Sequence, residues 1–169
     1  MKIRYTLEMT SPDQFRPKSS SVGELAIVRA EVPLPELNRW LHQAVGSRWR
    51  WGGREGWGEA EWRQYAERPE LETWIAYLSG TPAGYYELEA QSDGSMRIQC
   101  FGLLEPFIGR GIGAAFLSHA IRRGWERGGN RIWLVTCNYD HPHALGNYLS
   151  RGFRVARVVP AYPTEGGQP

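Results

Sequence analysis

Cysteine, net charge and long apolar runs are all scarce in this sequence, and each shortage excludes a class of protein. The two cysteines, Cys100 and Cys137, are too few for a disulfide framework and lack the spacing of a zinc site, so we expect both to be reduced and buried, with no metal bound. A formal net charge of +2 gives no reason to expect a nucleic-acid partner. No apolar run approaches the roughly 18 to 20 residues that span a bilayer, and residues 1–5 lack the apolar core of a secretory signal. We therefore expect a cytoplasmic protein without a membrane partner.

The composition that is present suits one enzyme-sized globular domain. The 169 residues can bury one substantial core but hardly two, and 41% of them are hydrophobic. Helical and strand patterns follow one another along the chain, which indicates a mixed α/β (α+β) fold. We expect a single domain over residues 1–160 and a flexible tail over residues 161–169, where proline and glycine are frequent.

The first third of the chain is predicted to contain two strands and two helices. Residues 24–31 form a buried strand that pairs with residues 5–9, and residues 11–23 are a loop or a disordered insertion. A helix at 35–46 begins at a proline and carries an apolar stripe, and a second helix covers 59–68. The stripe consists of Leu37, Trp40, Leu41, Ala44 and Val45.

A series of three antiparallel strands is predicted next. Residues 73–78 and 84–90 form a hairpin, and a turn at residues 92–95 leads into a third strand at 98–104. The second arm of the hairpin alternates, so that one face carries Tyr86, Leu88 and Ala90 and the other carries Tyr85, Glu87 and Glu89.

A cluster of glycines, Gly109-Arg110-Gly111-Ile112-Gly113, lies where the third strand gives way to a helix predicted at residues 112–127. Glycines at such a junction let the chain turn with φ > 0 and bring bare N–H groups close to a ligand. The helix N-terminus adds unpaired donors and a partial positive charge. The arrangement predicts a cradle for phosphate, although an ordinary tight turn would use the same glycines. The cations Arg122, Arg123, Arg127 and Arg131 are expected to form a solvated face and end of this helix.

Two other phosphate sites share features with this cluster. Gly109, Gly111 and Ala114 satisfy the loose dinucleotide pattern Gly-x-Gly-x-x-Gly/Ala, so an NAD(P)-dependent oxidoreductase is an alternative. A doubly wound domain would need several further strands, and only 56 residues (169 minus 113) follow Gly113. The Lys-Ser or Lys-Thr pair of a nucleotide-triphosphate site is missing.

A second motif follows a strand predicted at residues 131–137. It runs His141-Pro142-His143-Ala144-Leu145-Gly146-Asn147-Tyr148-Leu149-Ser150-Arg151-Gly152-Phe153, a short helix that closes on Gly-Phe. Together the two motifs resemble those of the GNAT superfamily of acyl-CoA-dependent N-acyltransferases, Gln/Arg-x-x-Gly-x-Gly/Ala and Asn-x-x-Ala-x-x-x-Tyr-x-x-x-Gly-Phe. The resemblance covers residues 98–159, with Gly111, Gly113, Ala144, Tyr148 and Gly152-Phe153 at matching positions.

Three positions depart from the family pattern. Ile108 stands where Gln or Arg is usual, His141 stands where Asn is usual, and Pro106 comes one residue late. Ile108 keeps the backbone N–H that meets the pyrophosphate in the family, and an imidazole can replace an amide hydrogen bond. The resemblance implies a central, mostly antiparallel sheet with helices on both faces and acetyl-CoA as cosubstrate. The implied cofactor-binding residues are Leu103, Leu104, Ile108, Gly109, Arg110, Gly111, Ile112, Gly113, Ala114 and His141.

The resemblance also implies a mechanism. The pantetheine arm runs between the strands at 98–104 and 131–137, which splay apart. A main-chain N–H at Leu103 or Leu104 stabilises the oxyanion of a tetrahedral intermediate. The acceptor amine attacks directly, and Tyr148 protonates the departing thiolate. The alternative for Tyr148 is packing on the short helix with its hydroxyl at the surface.

An amine acceptor must lose a proton before it attacks, which requires a base. Glu87 is the candidate, with Glu89 or a water chain as alternatives, although paired glutamates on a strand are commonly solvent-facing charges. A covalent cysteine nucleophile is the weaker alternative to direct attack, because neither cysteine has an obvious charged base.

The segment at residues 48–57, here called the Trp-rich segment, is the predicted wall of the acceptor site. Trp49, Trp51 and Trp57 suit stacking on a cationic or aromatic substrate, beside Tyr85 and Glu87, although they equally suit a cap on the core. His42 and His119 are expected on polar helix faces.

These observations predict an acetyl-CoA-dependent N-acetyltransferase that acts on the primary amine of a small molecule. A non-catalytic acyl-CoA-binding or regulatory domain of the same fold is the second alternative, since Ile108 and His141 depart from the pattern. The superfamily often dimerises, which leaves a homodimer open.

Overall fold

Seven strands form one mixed sheet in the computed structural model, which describes residues 1–161. The elements in chain order are β1 (Lys2–Met9), β2 (Leu25–Arg29), α1 (Pro35–Gly46), α2 (Glu59–Ala66), β3 (Leu71–Leu78), β4 (Thr81–Ala90), β5 (Met96–Leu103), α3 (Gly113–Glu126), β6 (Ile132–Cys137), α4 (Ala144–Ser150) and β7 (Arg154–Ala161). The strand order is β2-β3-β4-β5-β6-β1-β7, and within the described residues only β5 and β6 pair in parallel. β7 includes Ala161, the first residue of the predicted tail, and residues 162–169 lie outside the described residues.

Helices cover both faces of the sheet. Tyr85 and Tyr86 are neighbours on β4, so their side chains point to opposite faces, and both are fully buried. Tyr85 packs in a cluster with Leu41 and Val45 of α1, whereas the Tyr86 ring lies 5.3 Å from that of Phe116 on α3. The predicted mixed fold, a mostly antiparallel sheet with helices on both faces, is therefore confirmed.

The predicted hairpin of β3 and β4 is also confirmed. Its two-residue turn, Ser79-Gly80, has φ of 49° and 82°, and positive φ at both positions gives the twist that a tight hairpin needs. β5 then pairs antiparallel with β4, as expected. α1 and α2 begin at the predicted Pro35 and Glu59, and α3 begins at Gly113, one residue after its predicted start at 112.

The pairing predicted for the first two strands is wrong. β2 is an edge strand that pairs with β3 alone, and none of its residues is buried. β1 lies at the other end of the sheet between β6 and β7, where Leu7 and Met9 are fully buried. The apolar runs identified two strands, but hydrophobicity alone does not specify a partner or an edge.

The loop at residues 11–23 is held by backbone hydrogen bonds to distant elements. The N–H of Arg16 donates to the carbonyl of Arg151 at 3.0 Å, and the N–H of Lys18 donates to the Ser118 hydroxyl of α3 at 2.9 Å. The segment is thus an ordered crossing over α3 and α4, and the alternative of a disordered insertion is wrong.

The solvated cationic face predicted for α3 is largely absent, because the buried Glu72 and the half-buried Glu8 pair with it. Glu72 of β3 is 3% exposed and accepts two hydrogen bonds from Arg123, at 2.8 and 2.9 Å. Arg127 and Arg29 also approach it, at 3.5 and 3.4 Å. Arg131 pairs with Glu8 at 2.8 Å, and of the four predicted cations Arg122 alone is exposed.

Both cysteines are free thiols. Cys100 on β5 is buried, and Cys137 at the end of β6 is half-buried rather than buried as expected. Among the described residues, no helix has the length and apolar character to cross a membrane.

Candidate functional site

β5 and β6 run in parallel for three residue pairs and then separate. The paired positions run from Met96 with Ile132 to Ile98 with Leu134. Beyond them, residues 99–103 keep β4 on one side and have no strand on the other. This opening, here called the β5–β6 gap, lies where the two motifs predicted strands that splay apart.

The amides of Leu103 and Leu104 have different partners. Leu104 donates its N–H to the carbonyl of Ala83 at 2.8 Å, so this amide is used within the fold. Amides in an antiparallel strand point alternately toward and away from the neighbouring strand, so that of Leu103 points away from β4 and into the β5–β6 gap. Of the two predicted donors, Leu103 is the one available to a ligand.

The glycine cluster turns the chain as predicted. Gly109 and Gly111 both have φ of +80°, a conformation that glycine adopts without strain, and the N–H groups of Gly109, Gly111 and Ile112 make no hydrogen bond within residues 1–161. α3 starts at Gly113, so the N–H groups of Gly113 and Ala114 have no acceptor in the preceding turn. The result is a set of free amides at the positive end of a helix, the predicted cradle.

Ile108 and Arg110 do not contribute amides to this cradle. The N–H of Ile108 donates to the carbonyl of Glu105 at 3.2 Å, and that of Arg110 to Phe107 at 3.4 Å. The 3-10 turn Glu105–Phe107, which contains the late proline Pro106, creates these acceptors. The expectation that Ile108 keeps a free N–H for the pyrophosphate is therefore wrong in this structure.

Tyr148 faces the interior and not the surface. It is 7% exposed on α4, and its ring lies 6.2 Å from those of Phe101 on β5 and Phe153. Its hydroxyl makes no hydrogen bond to any of residues 1–161. Burial, and secondarily the charge of Asp140, raises the pKa of Tyr148 well above its usual range, so the hydroxyl keeps its proton at neutral pH.

His141 packs against the Trp-rich segment. Its ring meets Trp49 edge-on at 5.2 Å, and its Nδ1 accepts the N–H of His143 at 3.1 Å. Burial and the neighbouring His143 lower the pKa of His141. Any hydrogen bond from His141 to a ligand would therefore use Nε2.

Glu87, the predicted base, does not face an open cleft. It is fully buried, and its carboxylate accepts from Arg54 at 3.0 Å, Tyr65 at 2.5 Å and the Asn38 amide at 2.9 Å. Burial alone would raise the pKa of Glu87, but Arg54 and these hydrogen bonds hold it below the usual range. A sealed, fully hydrogen-bonded carboxylate of low basicity cannot take the proton of an acceptor amine. Glu89, the alternative, pairs with Arg68 at 3.0 Å, farther along β4 from the gap.

The Trp-rich segment combines features of the two roles considered for it, a wall of the acceptor site and a cap on the core. Trp51 packs on Tyr85 and on Gly102 of β5, where a Cβ would come within 3.4 Å of its ring. Its Nε1 donates to Asp140 at 3.2 Å, so the indole bridges from β4 across β5 to the end of β6. Trp57 joins Trp62 and Tyr65 in a separate cluster. Trp49, Trp51 and Trp57 are all partly exposed.

Both histidines expected on polar helix faces are packed against aromatic rings. His119 hydrogen-bonds the Tyr86 hydroxyl at 2.9 Å and contacts Trp74. His42 lies 5.7 Å from Trp51 and 5.8 Å from Trp62, and burial together with Arg54 lowers the pKa of His42 to about 4. Helical periodicity missed them because imidazoles are amphipathic and fit either face.

Four residues near this site were not predicted from the sequence. Asn38 and Arg54 seal Glu87, Asp140 joins β6 to Trp51, and Val22 of the long loop lies 3.3 Å from the position of a Cβ on Gly111. Asp140 follows a buried strand, a signal that was available. The others meet the site only through long-range packing.

The sequence matches the model of one protein family over most of its length. A model of the acetyltransferase (GNAT) family matches residues 37–153. The chain has no significant match among curated proteins.

Solved structures share the fold at low identity. A GCN5-related N-acetyltransferase from Sphaerobacter thermophilus aligns with a TM-score of 0.70 and 18% identity, over 93% of this chain and 49% of its own. An aminoglycoside acetyltransferase from an uncultured soil metagenomic sample, in complex with trehalose, aligns with a TM-score of 0.67 and 16% identity. The alignment covers 84% of this chain and 97% of the other. A Bacillus subtilis acetyltransferase in complex with CoA aligns with a TM-score of 0.59 and 23% identity. The alignment covers 78% of this chain and 77% of the other.

The chain spans about half the length of several structures that it matches. Identities below 25% show the fold alone, whereas the family model covers more than half of the chain. The chain therefore belongs to the acetyltransferase (GNAT) family.

Proposed function

We propose that the protein is an acetyl-CoA-dependent N-acetyltransferase that acts on the primary amine of a small molecule. One observation carries the proposal: the β5–β6 gap ends at the free amide of Leu103, and one short turn, Glu105–Phe107, joins this end to the glycine cradle. An extended ligand arm in the gap would meet unpaired backbone groups, and its phosphates would reach the N-terminus of α3. A doubly wound dinucleotide-binding sheet is mostly parallel, whereas in the described chain β4 pairs antiparallel with β5 and only β5 and β6 pair in parallel.

The cradle residues fit a pyrophosphate. A Cβ on Gly109 would meet open space within 4 Å, which leaves room for phosphate oxygens to approach the backbone. The free amides of Gly109, Gly111, Ile112, Gly113 and Ala114 would donate to these oxygens. Arg110 is exposed beside them and adds positive charge. Acetyl-CoA, when bound, supplies an acetyl group activated as a thioester.

Two groups at the gap suit acyl transfer. The Leu103 N–H would donate to the thioester oxygen as negative charge develops there, which stabilises the transition state. The Tyr148 hydroxyl, protonated and without a protein partner in the described chain, would give its proton to the departing thiolate. The proton that the attacking amine loses would pass to water, the alternative that remains because Glu87 and Glu89 are paired with arginines.

Direct attack by the amine fits better than a cysteine acyl-enzyme. Burial raises the pKa of Cys100 to about 12, so its sulfur stays a thiol at neutral pH. A thiol is a poor nucleophile compared with a thiolate.

The acceptor would enter from the face of α1 and α2, where Trp51 packs on Tyr85 and Gly102 and Trp49 packs on His141. The structural neighbour from soil is an aminoglycoside acetyltransferase, which supports a small polar amine as the acceptor. Release of free CoA from acetyl-CoA, followed with a thiol reagent across a panel of small primary amines, tests the function. Amine-dependent release would support it, whereas release that no amine accelerates would contradict it.

A further inference from the structure

Three buried polar atoms beneath the Trp-rich segment have no hydrogen-bond partner within residues 1–161. They are the Nη1 of Arg54, the hydroxyl of Tyr85 and the Nδ1 of His42. The Arg54 side chain is 7% exposed and Tyr85 is fully buried. We call these three the unpaired donors, with the neutral His42 imidazole taken in the tautomer that carries its proton on Nδ1.

The unpaired donors belong to side chains that pack around the same two indole rings. His42 contacts both Trp51 and Trp62, Tyr85 contacts Trp51, and the Arg54 guanidinium lies 5.4 Å from the ring of Trp62. They therefore share one neighbourhood. Buried polar groups in native proteins are almost always hydrogen-bonded, so such a group of donors indicates a missing ligand or water.

Nearby protein groups do not satisfy these donors. Arg54 reaches Glu87 and Tyr65 through Nη2, which leaves Nη1 free. The thiol of Cys100 is the one group within reach of the Tyr85 hydroxyl in the described chain, and a thiol is a weak hydrogen-bonding partner that leaves the hydroxyl available to a stronger one. The Glu87 oxygens are already occupied by Arg54, Tyr65 and Asn38.

One arginine on this face has no carboxylate partner in the described chain. Arg54 pairs with Glu87 and Arg68 pairs with Glu89, whereas Arg97 has no carboxylate partner in the described chain. The Arg97 guanidinium rests on Trp133 at 4.7 Å, and its Nε is also buried without a partner. Of these three arginines, Arg97 is thus the one without a carboxylate within salt-bridge distance in the described chain, and His42 adds no charge because burial and Arg54 lower its pKa to about 4.

The unpaired donors lie close to the reacting end of the β5–β6 gap. Tyr85 is directly opposite Gly102 in the β4–β5 register, and Gly102 precedes Leu103. The Tyr85 side chain points to the face of α1, from which the acceptor would enter. The Tyr85 hydroxyl itself lies beside Cys100, three residues before Leu103 on β5.

We infer that the unpaired donors receive a carboxylate of the acceptor, so the acceptor is an amine that also carries a carboxylate, as amino acids do. Two N–H groups of Arg54 Nη1 and the Tyr85 hydroxyl match the oxygens of such a group. This inference rests on the proposed acetyl transfer and narrows its substrate class.

Trp51 closes the entrance, so the acceptor must displace it. Its ring fills the space above Gly46 and Gly102, where a Cβ would come within 2.5 and 3.4 Å. Gly53 and Gly56 have φ of +87° and +81° in the segment that carries it, a conformation in which the chain turns sharply. A carboxylate-bearing ligand would therefore change the environment of Trp51.

The test compares amines that differ only in the carboxylate. Amino acids and their carboxamides are titrated into the CoA-bound protein by tryptophan fluorescence, and both series are assayed by CoA release. Since a hydrogen bond to a charged group contributes about 1.5–3 kcal/mol, the acids should bind roughly tenfold to a hundredfold more tightly than the amides. Tyr85→Phe should reduce this ratio several-fold, and Tyr86→Phe, which removes a hydroxyl from the opposite face, should leave it unchanged.

The outcomes separate this inference from the proposed function. Equal binding of acids and amides, a ratio unchanged in Tyr85→Phe, or binding of neither series to a protein that binds acetyl-CoA would overturn the inference alone. In that case water satisfies the unpaired donors. Failure to bind acetyl-CoA would overturn the acetyltransferase itself.

Discussion

Arg54 donates to Glu87 across 3.0 Å, and the two side chains are 7% and 0% exposed. This buried ion pair ties the Trp-rich segment, which forms one wall of the candidate acceptor site, to the middle of β4. Glu87, which the sequence predicted to be a base, is therefore a positioning residue that holds the Trp-rich segment in place.

Breaking the pair from one side should destabilise the fold. Arg54→Leu leaves a charged carboxylate buried without its partner, and we expect a loss of about 3–5 kcal/mol in the free energy of unfolding, measured by urea denaturation. The matched control is the double variant Arg54→Leu/Glu87→Leu, which removes both charges and should recover much of that loss. A single variant as stable as the wild type would show that Glu87 is not held as a buried ion.

Tyr148→Phe tests the proposed proton donor. The variant keeps the ring that packs on Phe101 and Phe153, so acetyl-CoA affinity should stay the same. Turnover should fall by roughly 10²–10⁴-fold because the thiolate departs without a proton. Because the pKa of Tyr148 is raised, the wild type should show no loss of activity from its ionisation at mildly alkaline pH. Full turnover in the variant would remove Tyr148 from the mechanism.

The cradle can be tested with two glycines of the same geometry. Gly109 and Gly128 both have φ of +80°, and a Cβ at either would meet no atom within 4 Å. Alanine at either position should cost about 1–2 kcal/mol of stability from backbone strain. Only Gly109→Ala should also weaken acetyl-CoA binding, because its methyl group would occupy the place proposed for phosphate. Equal affinity in both variants would contradict that placement.

Glu72 should make stability depend on acid pH. Burial alone would raise the pKa of Glu72, but its hydrogen bonds and charges from Arg123 and Arg127 lower it from 4.5 to about 2. A lowered pKa stabilises the fold fully above pH 4.5, and this contribution, at most about 3 kcal/mol, is lost as the pH falls toward 2. Urea midpoints between pH 7 and 2.5 should therefore fall less steeply for Glu72→Gln, which is less stable at pH 7. Urea midpoints that fall equally with pH in the wild type and in Glu72→Gln would exclude this role for Glu72.

Local patterns in the sequence were sufficient to predict the turn at the glycine cluster, the β3–β4 hairpin and the helix α4. Each depends on residues close in sequence: Gly109 and Gly111 turn the chain, and Ser79-Gly80 closes a hairpin between two alternating runs. The fold followed from these elements and from the resemblance that their motifs carry.

The features that local sequence patterns did not predict depend on contacts between residues that are far apart in the chain or on turns formed nearby. Glu87 has the pattern of a strand carboxylate that faces a cleft, but Arg54, 33 residues earlier, covers it. The amide of Ile108 is occupied because a 3-10 turn forms before it. Strand periodicity likewise identified residues 5–9 as a strand without specifying β6 and β7 as its neighbours.

Calorimetric titration of the purified protein with acetyl-CoA, CoA, NADH and NADPH tests the central claim most directly, namely that the gap and the cradle bind an acyl-CoA. We predict micromolar binding of acetyl-CoA and CoA and no binding of either nicotinamide cofactor. Binding of NADH or NADPH in their place would contradict the account, and binding of none of the four would indicate a GNAT fold that has lost its cosubstrate site.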